Sequence, residues 1–152
     1  SNVPGLRSGF VAGESKLIEN FYRYRTYHGC AMPLHVQKAS IAAWNDENHV
    51  KENRELYKIK FSKVCHELNS VLTVTQPSGS FYLWPKLPCS DIDFARELYK
   101  SENVEVLPGS YLSRDVYNIN PGNKRVRIAL VAEVDECIEA AKRIKKFIEK
   151  KY

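Results

Sequence analysis

The sequence has no long apolar run: nowhere do consecutive hydrophobic residues approach the ~20 needed to cross a bilayer. Its opening residues lack the basic stretch and apolar core of a secretory leader, so a cytoplasmic protein is expected. Cysteine is sparse and unpaired in spacing. Cys30, Cys65, Cys89 and Cys137 form no Cys-x-x-Cys motif, which argues against a zinc site or a disulfide framework and for reduced, partly buried thiols. His28, His35, His49 and His66 show no metal-ligand spacing, and no metal is expected. Internal repeats and low-complexity stretches are missing too.

What is present describes a globular domain. In 152 residues, 43% are hydrophobic and 27% charged, enough for a real core. The net charge of +5 comes mostly from the C-terminal end, at Lys142, Arg143, Lys145, Lys146, Lys150 and Lys151. Cations there complement the macrodipole of a closing helix and keep one face solvated. No aromatic residues interleave with them, so a nucleic-acid footprint is not indicated.

The N-terminal stretch Pro4-Gly5-Leu6-Arg7-Ser8-Gly9 sets a single arginine among glycines, with Phe10-Val11-Ala12 following as a short apolar run of the kind a buried strand uses. Glycines let backbone approach a ligand, and the planar guanidinium fork suits phosphate or carboxylate. A glycine-rich turn with a solvated Arg7 fits the same residues.

Beyond it, periodicity predicts a helix over about 14–25, with Leu17, Ile18, Phe21 and Tyr22 on one stripe. Pro33 fits the first turn of a second helix, to about Asn45, burying Val36, Ala39, Ile41, Ala42 and Ala43. A long third helix spans about 47–69, with Val50, Tyr57, Phe61, Val64 and Leu68 aligned. Strands are predicted over 71–75, 80–84, 104–107 and 125–131, with helices from about Asp91 and from Glu133. In the last strand Val126, Ile128 and Leu130 alternate with Arg125, Arg127 and Ala129. Residues from about Leu72 onward thus read as a compact α+β unit. The residues before about Glu47 cannot bury their apolar faces unaided and read as the tail of a larger domain.

Four motifs stand in register: Pro4 to Gly9, Pro77-Ser-Gly-Ser-Phe-Tyr-Leu-Trp84, Val106-Leu-Pro-Gly-Ser110 and Val126-Arg-Ile-Ala-Leu130. Together the chain resembles the C-terminal portion of a fold-type I, class I/II aminotransferase dependent on pyridoxal 5'-phosphate. The narrower likeness, carried by Asn2 to Gly13 and Tyr27 to Ala39, is to N-succinyl-diaminopimelate aminotransferases of bacterial lysine biosynthesis. The resemblance implies an α+β fold of the α/β family: residues 1–49 as the last strand and helices of the cofactor-binding large domain, and 50–152 as the small C-terminal domain, with the interdomain helix at about 47–69. It implies a homodimer that exchanges an amino group between glutamate/2-oxoglutarate and a keto acid, N-succinyl-2-amino-6-ketopimelate in the narrower reading, by a ping-pong mechanism.

Residue by residue, Arg7 matches the family arginine on the cofactor phosphate, and Arg127 the one that clamps the substrate α-carboxylate. From alternation alone, Arg127 could equally be an exposed member of its strand, as Arg125 and Lys124 are expected to be. Phe81 matches an aromatic bordering the substrate pocket, a role that core packing would equally explain. The loop Arg25 to Met32 matches a segment that reaches the neighbouring subunit's site, where Arg25 or Tyr27 would read a distal acidic group or serve only as dimer contact. The lysine that forms the Schiff base falls upstream of Ser1, so this polypeptide alone is expected to be inactive. A stand-alone binding or regulatory module with the same fold and no catalysis is the alternative.

Overall fold

The structure, a computed structural model, describes residues 3–152; Ser1 and Asn2, the second of which opens the stretch Asn2 to Gly13 that carries the narrower likeness, lie outside the described residues. The chain divides into two compact units, Ser1–Asn53 and Arg54–Tyr152. Its architecture is α+β, helix-rich with one small antiparallel sheet.

The first unit holds a short 3-10 turn (Pro4–Leu6), α1 (Ser15–Arg25), α2 (Leu34–Trp44) and the start of α3 (Asn48–Leu68). Pro33 is the residue before α2 rather than its first turn. Neither α1 nor α2 has a side-chain cap at its N-terminus. α3 begins better: the Asp46 carboxylate accepts from the Asn48 N–H at 3.0 Å and meets His49 Nδ1 at 2.8 Å. The His49 hydrogen bond, and then that of Asn48, hold the Asp46 carboxyl below its ordinary value.

Two expectations fail in this unit. Phe10-Val11-Ala12 forms no strand, because no described residue offers it a ladder, and Phe10 is 77% exposed. The stripe on α1 is mostly exposed too, and α2 buries only Val36 and Ser40, leaving Ile41 in solvent.

The second unit is where the core sits. It holds the C-terminal part of α3, then β1 (Tyr82–Leu83), α4 (Asp91–Glu102), β2 (Leu107–Pro108), α5 (Gly109–Leu112), β3 (Val126–Ala129) and α6 (Val134–Lys151). β3 lies centrally, antiparallel to both neighbours in the order β1-β3-β2. Pairing runs beyond the short strands: the Leu130 N–H donates to the Phe81 carbonyl at 2.9 Å, and the Leu87 N–H to the Lys124 carbonyl at 2.7 Å. Pro85 has no N–H to give, yet its carbonyl accepts from the Val126 N–H at 3.3 Å.

Val126, Ile128 and Leu130 face inward as their alternation predicts, against Leu68 of α3, Phe94 and Leu98 of α4, and Ala141, Ile144 and Phe147 of α6. Phe94 meets Phe147 edge-on at 5.4 Å, an arrangement that favours the ring quadrupoles. α4 is capped by Ser90, which accepts from the Asp93 N–H. α6 carries a reciprocal cap between Glu133 and Glu136. The basic C-terminal face of α6 is solvated, with Lys151 reaching Glu97 at 3.6 Å.

The expected strand at 71–75 does not form. Leu72 and Val74 are buried in alternation, but the segment joins no ladder, and the Val74 N–H is satisfied by the Asn69 side chain at 3.0 Å. Strand β2 comes later than its β-branched residues suggest, at Leu107–Pro108, because pairing with β3 fixes it there. The long polar loop after it contains a tight hairpin, Val116 to Ile119. Tyr117 and Asn118 have φ of 50° and 63°, as a type I′ turn requires.

No described helix is long and apolar enough to cross a membrane. Among the described residues no cluster of three or more metal-ligating side chains occurs.

Candidate functional site

Arg127 sits at the middle of β3, and antiparallel register decides what surrounds it. Tyr82 pairs with Ala129, and Leu107 pairs with Arg127. Side chains alternate across a strand, so Arg127 and Ala129 share the face opposite the core, with Tyr82 as the diagonal neighbour of Arg127. The guanidinium carbon lies 5.8 Å from the centroid of the Tyr82 ring, over its face. Arg127 is half-buried, and its Nε–H is buried with no hydrogen-bond partner. Buried donors are almost always satisfied, and leaving one unmade costs about 1–3 kcal/mol. An orphaned arginine donor at the centre of a sheet therefore marks a place for an acceptor that none of the described residues provides.

Arg125, two residues earlier, behaves differently from the solvated neighbour expected of it. It is half-buried, and its Nη1 donates to the Trp84 carbonyl at 3.1 Å, because the pairing of Lys86 with Arg125 brings that carbonyl within reach. Arg125 lines a groove of about 850 Å³ together with Thr73, Thr75, Ser80, Tyr82 and Trp84. Lys124, as expected, is exposed. Phe81 is 46% exposed and packs edge-on against Tyr82 at 5.3 Å.

Below this sheet end, the loops around Arg125 are fixed by one carboxylate. Asp91, 2% exposed at the start of α4, accepts from the Ser110 hydroxyl at 2.6 Å, the Ser110 N–H at 2.9 Å and the Lys124 N–H at 3.1 Å. Burial alone would raise its pKa, but these hydrogen bonds to the ionised form outweigh it and hold it below the ordinary 3.8. Gly109 and Gly122 pass so close that a Cβ on either would strike the other's backbone, so glycine is required at this crossing.

In the first unit, Arg7 follows the 3-10 turn with φ 55° and ψ 32°, a left-handed conformation that costs a non-glycine residue about 1 kcal/mol. None of the described glycines has positive φ; the unusual backbone falls on the arginine itself. Arg7 is exposed, and its Nη1 donates to the Pro4 carbonyl at 3.2 Å. Among the described residues it pairs with no acid. The rest of its fork suits a phosphate. The Ser8 hydroxyl meets that of Ser40 at 2.5 Å, and Phe10 packs edge-on against Trp44 at 5.7 Å, which lays the segment along α2.

Arg25 is committed to its own loop, donating to the carbonyls of His28 at 3.4 Å and Cys30 at 3.3 Å. Its guanidinium occupies the space a Cβ on Gly29 would take. Tyr27 is 83% exposed, while Tyr24 stacks on His28 at 4.6 Å. The structure thus brings Phe81 and Arg127 onto one sheet through Tyr82, while Arg7, Arg25 and Tyr27 belong to the first unit. Tyr82 is the residue that sequence reasoning missed. No signal in the sequence points to it, because its place beside Arg127 depends on the register of two strands.

The family model described as aminotransferase class I and II matches residues 1–144. A solved aminotransferase from Neisseria meningitidis Z2491 is 54% identical, with a TM-score of 0.85 over 97% of this chain and 38% of that one. A solved structure described as a probable N-succinyldiaminopimelate aminotransferase, from Thermus thermophilus, is 28% identical, with a TM-score of 0.80 over 95% of this chain and 38% of that one. An LL-diaminopimelate aminotransferase from Dehalococcoides mccartyi (strain CBDB1) is 29% identical over 72% of this chain and 29% of its own length. The chain spans between 29% and 39% of the length of the curated aminotransferases it matches.

Proposed function

Because the chain belongs to the aminotransferase class I and II family, we propose that the full-length protein is an aminotransferase dependent on pyridoxal 5'-phosphate. It exchanges an amino group between glutamate/2-oxoglutarate and a keto acid, which we take to be N-succinyl-2-amino-6-ketopimelate on the diaminopimelate route to lysine. The single observation that carries this is Arg127: a half-buried guanidinium with an unsatisfied buried Nε–H, on the central strand of the sheet. Such a donor set is suited to the α-carboxylate that every amino donor and keto acid in the reaction carries. The names of the Thermus and Dehalococcoides relatives support a diaminopimelate-type substrate.

When bound, the cofactor supplies the electron sink that lets the substrate Cα–H bond break. This chain's residues bind and orient. Arg127 grips the carboxylate and so fixes the direction of the Cα–H bond. Arg7 holds the cofactor phosphate, and the donor set fits: an exposed fork, free of acidic partners among the described residues. Phe81 borders the substrate pocket. Residues 1–49 close the cofactor-binding large domain, and 50–152 form the small domain, with α3 running between. The protein works as a homodimer, in which Arg25 or Tyr27 of the loop after α1 reads the succinyl carboxylate of the neighbouring site.

The test is a panel of keto acids offered to the full-length protein with glutamate as donor. The succinylated substrate is expected to exceed its acetylated counterpart about tenfold or more in kcat/KM, as one charge-assisted contact would give. Equal use of the two would overturn the succinyl assignment, and no amino transfer to any keto acid would overturn the activity.

A further inference from the structure

The face of the sheet that carries Arg127 holds two arginines, and they are held in different ways. Arg125 spends a guanidinium N–H on the Trp84 carbonyl. Arg127 instead lies over the ring of Tyr82, 5.8 Å from its centroid, and leaves its Nε–H unused. The difference matters chemically. A carbonyl or a carboxylate would hold a guanidinium by consuming the N–H donors that recognise a substrate carboxylate. An aromatic face attracts the cation through its quadrupole and consumes no N–H donor as a conventional hydrogen bond would. No ion pair among the described residues involves Arg127, so no acidic side chain competes for its fork.

Tyr82 is itself fixed. The Ser80 hydroxyl accepts from the Tyr82 N–H and donates to the Tyr82 carbonyl, each at 3.1 Å, and the Phe81 ring meets the Tyr82 ring edge-on at 5.3 Å. β1 pairs with β3 at Tyr82–Ala129 and Leu83–Ile128, so the distance between ring and guanidinium is set by the sheet and not by a loop.

We propose that Tyr82 is a positioning residue for Arg127: the face of its ring pre-orients the guanidinium while leaving its N–H donors available for a substrate carboxylate. The ring and not the hydroxyl performs this task. The proposal rests on Arg127 being the carboxylate clamp, and the experiment separates the two.

The full-length holoenzyme is assayed for KM and kcat with glutamate, and cofactor content is followed by absorbance. Tyr82→Phe keeps the ring and is expected to leave KM for glutamate within about twofold of the parent. Tyr82→Leu removes it and is expected to raise that KM about tenfold, with cofactor content unchanged. Because Tyr82→Leu could fail to fold, a second series replaces Tyr82 by phenylalanine bearing increasing ring fluorination. Fluorination drains the ring face of negative potential with little change of shape. A stepwise rise in KM along the series supports the proposal, and a flat series overturns it. A KM change in Tyr82→Phe as large as in Tyr82→Leu also overturns it, since the hydroxyl would then be the operative group. Arg127→Lys provides the reference. If it raises KM strongly while the fluorinated series is flat, only the Tyr82 inference fails. If Arg127→Lys leaves KM unchanged, the clamp assignment fails with it.

Discussion

The two units of this chain are built from the same kinds of residue and differ in what those residues find to pack against. In Arg54–Tyr152, apolar positions on α3, α4, α6 and the sheet converge, and Leu68, Phe94 and Leu98 are almost fully buried. In Ser1–Asn53, the amphipathic α1, the more uniformly apolar α2 and an apolar segment leave Phe10, Leu17, Phe21, Tyr22 and Trp44 exposed. Side-chain caps occur on α4 and α6 and not on α1 or α2, although α3 begins within the first unit on the Asp46 carboxylate. Amphipathic pattern therefore says that a helix has a face to bury; it does not say that the surface it needs lies in the same stretch of sequence.

The contrast can be broken first at the largest effect. Phe94→Ala in the core of the second unit is expected to cost about 3–5 kcal/mol in urea unfolding of this chain, while Phe10→Ala in the first unit costs less than about 1 kcal/mol. Comparable losses at both positions would remove the distinction. Next, Asp91→Asn exchanges three hydrogen bonds to a charged acceptor for weaker ones, with an expected loss of about 2–3 kcal/mol at neutral pH.

The pH dependence has a definite sign. A carboxyl held below its ordinary 3.8 in the folded state stabilises fully above that value and loses its contribution as pH falls through the lowered folded pKa. The difference between parent and Asp91→Asn should thus stay constant down to about pH 5 and shrink below about pH 4 in parallel urea titrations. A difference that grew on acidification would contradict the assignment.

Smallest is a change that would bring the units closer together. Glu14→Ser gives α1 the N-terminal cap it lacks, and is expected to gain about 0.5–1 kcal/mol of local stability, read as slowed amide exchange in the first turns of α1. Faster exchange there would show that Glu14 contributes something beyond a missing cap.

Legibility in the sequence divides along similar lines. The closing strand is readable because strict alternation of Val126, Ile128 and Leu130 with Arg125 and Arg127 has only one solution against a core. Helices α1, α2, α3, α4 and α6 are readable from their period and ends. The segment 71–75 is not, because β-branched residues favour an extended backbone but cannot supply the neighbour that makes it a strand. The same reason defeats Phe10-Val11-Ala12. Arg127 and Arg7 enter as candidates only through a family resemblance, whereas Tyr82 depends on register, which is a property of two strands at once. The left-handed backbone of Arg7 is equally hidden, since the flanking glycines draw the expectation of unusual φ onto themselves.

The Asp91 carboxylate also has a bearing on how the second unit assembles. Its acceptor atoms join residues 19 and 33 positions apart in sequence, and hydrogen bonds of this kind gain over those to water only once the surrounding elements are packed and the site is desolvated. Contacts between α4 and α6 and between adjacent strands can form without it. The Asp91 bonds should therefore close after the rate-limiting step, so that Asp91→Asn mainly speeds unfolding and leaves the folding rate nearly unchanged. The side chain that pins the loops beside the arginines would then act as a latch on an already folded unit, setting how long the native arrangement lasts and not how fast it is reached.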